Sequence, residues 1–189
     1  MGMFYTASPK EMLQIRNKIF LDFGLPALQK KGFQESPFST ACFGKDDIGG
    51  YSYALCRLSD AAQLEMITVH IVRGDRWIQI SLNIFELKPK VESMAQLKGV
   101  DGLQFALPPN SISDMRLRCD DFKGPPLLNY HYMFRNHKIK SYLTKSGLTR
   151  SANDLSKIIG SDLTDIDYFV KRWHDLHQPA TTTWEGHPV

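Results

Sequence analysis

The sequence has few cysteines and lacks the local motifs by which common enzyme families are identified. Its cysteines, Cys42, Cys56 and Cys119, form an odd and sparse set of three, so no disulfide framework is expected. It contains neither a Gly-x-Ser-x-Gly turn nor a glycine-rich phosphate loop, which are typical of hydrolases and of nucleotide-binding proteins. These absences predict a non-catalytic protein without a cofactor.

Long apolar runs are also missing. The most apolar stretch, residues 76–87, is interrupted by Gln79, Ser81 and Asn83, whereas a membrane span needs about 18 apolar residues in succession. The first eight residues lack the basic start and the apolar core of a secretion signal. We therefore expect a protein of the reducing cytoplasm that has no membrane partner.

The chain carries no large excess of charge. It has 23 Lys and Arg against 20 Asp and Glu, a formal net charge of +3. This balance argues against nucleic acid as the main partner, and it lacks the negative excess with which a nucleic-acid mimic blocks a nuclease. With 189 residues, of which 42% are hydrophobic, the chain is expected to form one globular domain.

The strongest positive signal is an alternation of apolar and polar side chains over residues 76–87. The apolar members are Ile78, Ile80, Leu82 and Ile84, and the polar members are Gln79, Ser81 and Asn83. A period of two residues is typical of a half-buried strand. Strand candidates at 39–44, 51–58 and 65–72 precede it, separated by glycine-containing turns. The spacing predicts an antiparallel β-meander of four to six strands.

Helical signals flank this predicted sheet. Ser8, Pro9 and Glu11 form an N-terminal capping pattern, and the last third has apolar residues at helical spacing on both sides of Gly160. The expected fold is therefore α+β, with an N-terminal helix, a meander, and C-terminal helices packed on the sheet, in a single domain over residues 1–178. Residues 179–189 are expected to be a flexible tail. The pattern leaves the structure of residues 88–150 undecided.

The main candidate for function is the polar face of the predicted sheet. If the Ile78 to Ile84 side rests on helices, the opposite side presents a set of aromatic, charged and neutral polar residues: Arg57, His70, Trp77, Gln79, Asn83 and Phe85. This composition is typical of a protein-binding patch. We therefore predict a partner-binding surface there, of which the segment after Lys88 could cover a part.

Other candidate sites have less support from the sequence. His174 and His177 have a spacing that can hold a metal on a helix, but no further ligand stands at a recognisable distance, so no metal site is predicted. The basic and aromatic tract at 130–150 contains Tyr130, Tyr132, Phe134, Lys138, Lys140 and Lys145. Such interleaving can bind single-stranded nucleic acid, which is one alternative. The other is an enzyme assembled from distant residues, with a pocket lined by His70 or His131 and a carboxylate or thiol nearby.

The order of predicted elements resembles small bacterial α+β domains of unknown function. The resemblance rests on the first helix, the stretch Leu28–Phe33, and the meander that ends in the 78–84 strand, and it covers roughly the first half of the chain. Some of these domains are taken to be immunity proteins of polymorphic or contact-dependent toxins. The resemblance therefore implies a protein that neutralises a cognate toxin domain by direct binding, and it carries over no functional residue.

Overall fold

A computed structural model of the chain describes residues 4–59, 63–117 and 137–189. These residues form an N-terminal helix, an antiparallel sheet, and C-terminal helices packed on that sheet. The predicted α+β fold is therefore confirmed. Several residues singled out in the sequence lie outside the described ranges, namely Cys119, Tyr130, His131, Tyr132 and Phe134.

The N-terminal helical region consists of three consecutive pieces, α1 (Pro9–Ile19), a π-helical turn (Phe20–Gly24) and α2 (Leu25–Lys30). The predicted N-cap is confirmed, because the Ser8 hydroxyl accepts a hydrogen bond from the Glu11 backbone N–H at 3.1 Å. Gly24 is buried in the π-helical turn, where an added Cβ would lie 2.7 Å from the Phe20 ring and 3.0 Å from Leu163. The absence of a side chain at Gly24 thus permits close packing of this region on the C-terminal helices.

The described residues form a sheet of seven strands: β1 (Gln34–Glu35), β2 (Phe43–Lys45), β3 (Tyr51–Leu58), β4 (Gln63–Ile71), β5 (Gln79–Leu87), β6 (Met115–Arg116) and β7 (Ala180–Thr182). The long strands β3, β4 and β5 are neighbours and form the predicted antiparallel meander. Strands β1 and β2 pair with the outer edge of β3, and β6 and β7 pair with the outer edge of β5. The count exceeds the predicted four to six because these edge strands have only two or three residues.

The C-terminal residues 179–189 belong to the sheet region, in contrast to the flexible tail that the sequence predicts. Strand β7 runs parallel to the end of β5, and Thr182 within it is fully buried. The Trp184 indole N–H donates a hydrogen bond to the Pro89 carbonyl at 2.6 Å. The polar composition of this segment does not predict order. The order comes from backbone pairing with β5, which is distant in sequence.

Two helices complete the fold, α3 (Lys145–Thr164) and α4 (Ile166–Leu176). The prediction that a helix stops at Gly160 is wrong, because α3 continues through this residue to its end four residues later. A Cβ at Gly160 would lie 3.8 Å from the Phe23 side chain, so the glycine lies where α3 faces the N-terminal helical region. No helix in the described ranges combines the length and the apolar composition that a membrane crossing requires.

The sheet separates two apolar layers. On its helix face, Ile67, Ile80 and Leu82 pack in one buried cluster with Leu155 and Trp173 of the C-terminal helices. On the opposite face, which we call the outer face, a second buried cluster contains Phe38, Phe85 and Phe105. This outer cluster is partly built by the 3-10 turns Met94–Leu97 and Leu103–Ala106, and a third 3-10 turn, Asn110–Ser113, follows them. We call residues 94–113 the 3-10 layer.

Candidate functional site

The six residues of the predicted partner-binding patch do not share one accessible surface. Asn83 and Phe85 do lie on the outer face, but the 3-10 layer leaves only 6% and 1% of their surface exposed. The Asn83 amide donates a hydrogen bond to the Asn110 carbonyl at 2.7 Å and accepts one from the Ser113 hydroxyl at 2.8 Å. These two residues therefore anchor the 3-10 layer and offer no open surface to a partner, although both contribute to the lining of a cavity.

Arg57 lies on the helix face, away from the other members of the patch. Strand register places it opposite Glu65, and its guanidinium contacts the carboxylates of Glu65 at 2.7 Å and Asp167 at 2.8 Å. The Arg57 guanidinium also stacks 4.6 Å from the centre of the Phe33 ring. The pKa of Asp167 is lowered mainly by a hydrogen bond from Lys31, and Arg57 lowers it further. Arg57 thus ties the sheet to the start of α4.

Trp77 precedes β5 and lies beside the basic tract predicted for nucleic acid. Its backbone bridges to Lys138, whose ammonium group lies 5.8 Å from the centre of the Trp77 ring. The Lys140 backbone N–H donates to the Ser151 hydroxyl at 2.7 Å, and Lys145 is the first residue of α3. The tyrosines and phenylalanine of this tract lie outside the described residues, so the nucleic-acid alternative stays a prediction.

Of the two remaining members of the patch, His70 lines a groove on the outer face, and Gln79 accepts a hydrogen bond from Arg116. The groove consists of two adjoining cavities beside the turn Leu103–Ala106, with volumes of about 270 Å³ and about 230 Å³. Both cavities are lined by Met66, Thr68, His70, Gly102 and Ala106. We call this combined depression the His70 groove. An added Cβ at Gly102 would lie 2.6 Å from the Phe38 ring, so the wall here requires a residue without a side chain.

A chain of hydrogen bonds orients the imidazole of His70. The Ser52 hydroxyl donates to the Asp46 carboxylate at 3.2 Å, since a carboxylate can only accept. The single Ser52 proton is then committed, so His70 Nδ1, at 3.0 Å from the hydroxyl oxygen, must donate. Asp46 is itself fixed in the β2–β3 turn, where its other oxygen accepts the Gly50 backbone N–H at 2.6 Å. This arrangement assigns the Nδ1–H tautomer and leaves Nε2 as an acceptor.

The electrostatic surroundings keep His70 neutral. His70 as a whole residue is exposed to solvent, but its ring lies in the concave wall of the groove. The resulting desolvation is the main cause of the lowered pKa of His70. The positive charge of Arg116 lowers the pKa of His70 further, whereas the negative charge of Asp46 raises it. At neutral pH the groove therefore presents an uncharged imidazole with a lone pair on Nε2.

Asp114 is the second polar group of the groove, and the charge of Arg116 acts on it from outside the lining. Asp114 lines the larger cavity, and burial is the main cause that raises the pKa of its carboxyl, while Arg116 and a hydrogen bond from Ser81 lower it. The Arg116 guanidinium donates to the Gln79 side-chain oxygen at 3.1 Å. The sequence pattern indicated His70 and Gln79 but not Asp114 and Arg116, because residues 88–117 have no regular period that shows which side chains face the sheet.

The chemistry of this site is that of a hydrogen-bonding cavity with apolar walls. Within the described ranges, no three His, Cys, Asp or Glu side chains are gathered as potential metal ligands. No protein-family model, curated protein or solved structure matches this chain. Its function is therefore inferred from the structure and from the pattern of its sequence.

The first prediction concerns the charge state of His70. In an NMR titration the His70 imidazole is expected to have a pKa below its ordinary value of about 6.5. Arg116→Gln removes a repelling cation and should raise that pKa, whereas Asp46→Asn removes an attracting anion and should lower it. A lower pKa of His70 in Arg116→Gln, or a higher one in Asp46→Asn, would contradict the electrostatic assignment.

The same titration has a consequence for stability. Since the pKa of His70 is lower in the folded than in the unfolded chain, the unfolded chain binds more protons as the pH falls through about 6.5. The contribution of His70 to stability is therefore complete above that pH and declines as the pH falls towards the folded-state pKa. Urea unfolding of the wild type and of His70→Phe at several pH values from 8 down to about 5 measures this difference.

Proposed function

We propose that this protein is a non-catalytic protein-binding protein whose partner docks over the His70 groove. The observation that carries the proposal is the exposure of three large apolar side chains on the 3-10 layer beside the groove. Leu103, Leu107 and Ile112 are exposed by 54%, 44% and 77%. Apolar side chains around a depression with neutral hydrogen-bonding groups have the composition of a binding surface.

The order in which Asp46, Ser52 and His70 are hydrogen-bonded supports a binding function rather than a hydrolytic one. His70 and Asp114 line one cavity and Cys42 lines the neighbouring one, so the groove contains the residue types of the enzyme alternative. In a serine hydrolase, however, the histidine lies between the serine and the carboxylate and takes the serine proton. Here Ser52 occupies the middle position and donates its proton to Asp46, so His70 has no serine to activate. The Cys42 thiol contacts the backbone carbonyls of Gly44 at 3.9 Å and Lys45 at 4.0 Å.

A narrower form of the proposal is an immunity protein that neutralises a cognate toxin domain in the bacterial cytoplasm. It is supported by the resemblance of the first half of the chain and by the sparse cysteine count, which suits a reducing compartment. A stable complex needs about 800 Å² from each partner, so the partner would cover the groove together with its apolar rim. The formal charge of +3 suits an acidic patch on that partner.

The rim of the groove provides the test of this proposal. Leu107→Glu with Ile112→Glu places two charges in the proposed interface and is expected to weaken the complex at least about tenfold. The measurement is calorimetric titration against the protein encoded by the neighbouring gene. Tyr168→Glu on α4 is the matched control, because Tyr168 is equally exposed but lies on the helix side.

Each outcome of this titration has a distinct meaning. A complex that is weakened by the rim variant and unaffected by the control supports docking over the His70 groove. If the rim variant binds as tightly as the wild type, the groove is not the interface. If the neighbouring protein does not bind at all, the toxin form of the proposal fails.

A further inference from the structure

The larger cavity of the His70 groove has aromatic walls and one polar corner. Phe85 and Phe105 line it, with ring centres 4.8 Å apart, and Met66 and Ala106 complete the apolar lining. An engineered cavity of about 150 Å³ in another protein admits benzene. A cavity of about 270 Å³ is therefore large enough for an aromatic ring.

The polar corner requires a hydrogen-bond donor. His70 Nδ1 is occupied by Ser52 at 3.0 Å, and Nε2 has no hydrogen-bond partner among the described residues. A purely apolar group that covered His70 would remove water from Nε2 without replacing the lost hydrogen bond. Such an unsatisfied acceptor weakens binding. The best occupant thus combines an apolar ring with a donor at its end.

The charges around the cavity favour a neutral donor. Asp114 attracts a cation, but Arg116 lies close enough to lower the pKa of both Asp114 and His70, so a second cation would be repelled. An anionic group would be repelled by Asp114 and would offer no proton to His70. A hydroxyl group avoids both penalties.

Resting on the function proposed above, we propose that the partner inserts a tyrosine side chain into this cavity. The ring would pack against Phe105 and Met66, and the hydroxyl would donate to His70 Nε2. Tyrosine is among the residues that most often dominate the energy of protein interfaces, because it buries a large rigid ring and keeps a polar end.

Isolated side-chain analogues test this inference without the partner. We expect p-cresol, the tyrosine analogue, to bind about threefold to tenfold more tightly than toluene, the phenylalanine analogue, since it gains one hydrogen bond. The measurement is NMR titration, with the Met66 methyl and the His70 ring nitrogens as reporters. In His70→Phe the preference for p-cresol over toluene should disappear.

The His70 Nε2 resonance gives a second readout that does not depend on the variant folding, because a donated hydrogen bond changes its chemical shift in the wild type. Equal affinity for p-cresol and toluene would overturn the inference, as would tighter binding of n-propylguanidinium or 3-methylindole, the analogues of arginine and tryptophan. Failure of p-cresol to bind at all would also overturn it. The proposed function would still stand in each case if the rim variant weakened the protein complex.

Discussion

Replacing Arg16 with methionine is expected to lower the free energy of unfolding by about 3–5 kcal/mol. Arg16 is fully buried in α1, and its guanidinium donates to the backbone carbonyls of Trp77 at 2.7 Å and Val72 at 2.9 Å. Its Nε also donates to the Met12 carbonyl at 3.2 Å. Methionine fills much of the same volume but provides no donor, so two carbonyls of the β4–β5 turn lose their contact with α1.

Burial lowers the pKa of the Arg16 guanidinium to about 10, so the group still carries its charge at neutral pH. The carbonyl dipoles of the β4–β5 turn therefore compensate a buried cation as well as accepting hydrogen bonds. Urea unfolding followed by circular dichroism measures the loss. Lys18→Met is the matched control on the same helix, because Lys18 is exposed and pairs only with Asp22, and a change within about 0.5 kcal/mol is expected. A loss below about 1 kcal/mol in Arg16→Met would show that water replaces the missing donor.

Replacing Trp173 with alanine is expected to cost about 3–5 kcal/mol, the range for deleting a buried aromatic side chain. Trp173 is fully buried between α4 and the sheet. Its indole N–H donates to the Ser113 carbonyl at 2.8 Å, and the Ser113 hydroxyl in turn donates to Asn83. Loss of the indole thus opens the core and frees one end of the 3-10 layer.

A graded series separates these two effects of Trp173. Trp173→Phe retains most of the buried area but loses the hydrogen bond, so a smaller loss of about 1–3 kcal/mol is expected. Tyr168→Ala on the same helix is the control, because Tyr168 is largely exposed, and its effect should be small. Thermal and urea unfolding give the free energies. Equal losses in Trp173→Phe and Trp173→Ala would mean that the hydrogen bond, and not the packing of the ring, dominates.

The strands were predictable because alternation is a local property of the sequence. The pattern over residues 76–87 identified β5 and the apolar side that faces the helices. It could not show that Ser81 and Asn83 on the other side are also buried, because their cover comes from the 3-10 layer, whose turns have no regular period. Asn83 remains polar there since it hydrogen-bonds to that layer.

The first helix illustrates a second limit. Met12, Ile15, Ile19 and Phe23 recur at helical spacing, which predicts one buried stripe. Phe23 is nevertheless 48% exposed, while Arg16 is fully buried. The π-helical turn at Phe20–Gly24 rotates the side chains that follow it, so the α-helical period no longer applies. The burial of Arg16, which precedes this turn in α1, has a separate cause: its guanidinium donates to the carbonyls of Val72 and Trp77, 56 and 61 residues later.

The candidate site was predictable only in part, for a similar reason. His70 was identified because it points away from the apolar side of β4. The groups that define its chemistry, Ser52, Asp46 and Arg116, come from separate parts of the chain. Arg57 was assigned to the wrong side because the alternation within β3 does not fix its register with β4, which places Arg57 opposite Glu65.

The short strands at the margins of the sheet limit how another molecule can approach it. Strands β1 and β2 together line the free side of β3, and β6 and β7 do the same for β5. No long row of unpaired backbone donors and acceptors is therefore offered by the described residues, and such a row is what polymerising proteins and strand-adding ligands require. The described edges of the sheet therefore disfavour the addition of a further strand, from a ligand and from a second copy of the chain alike.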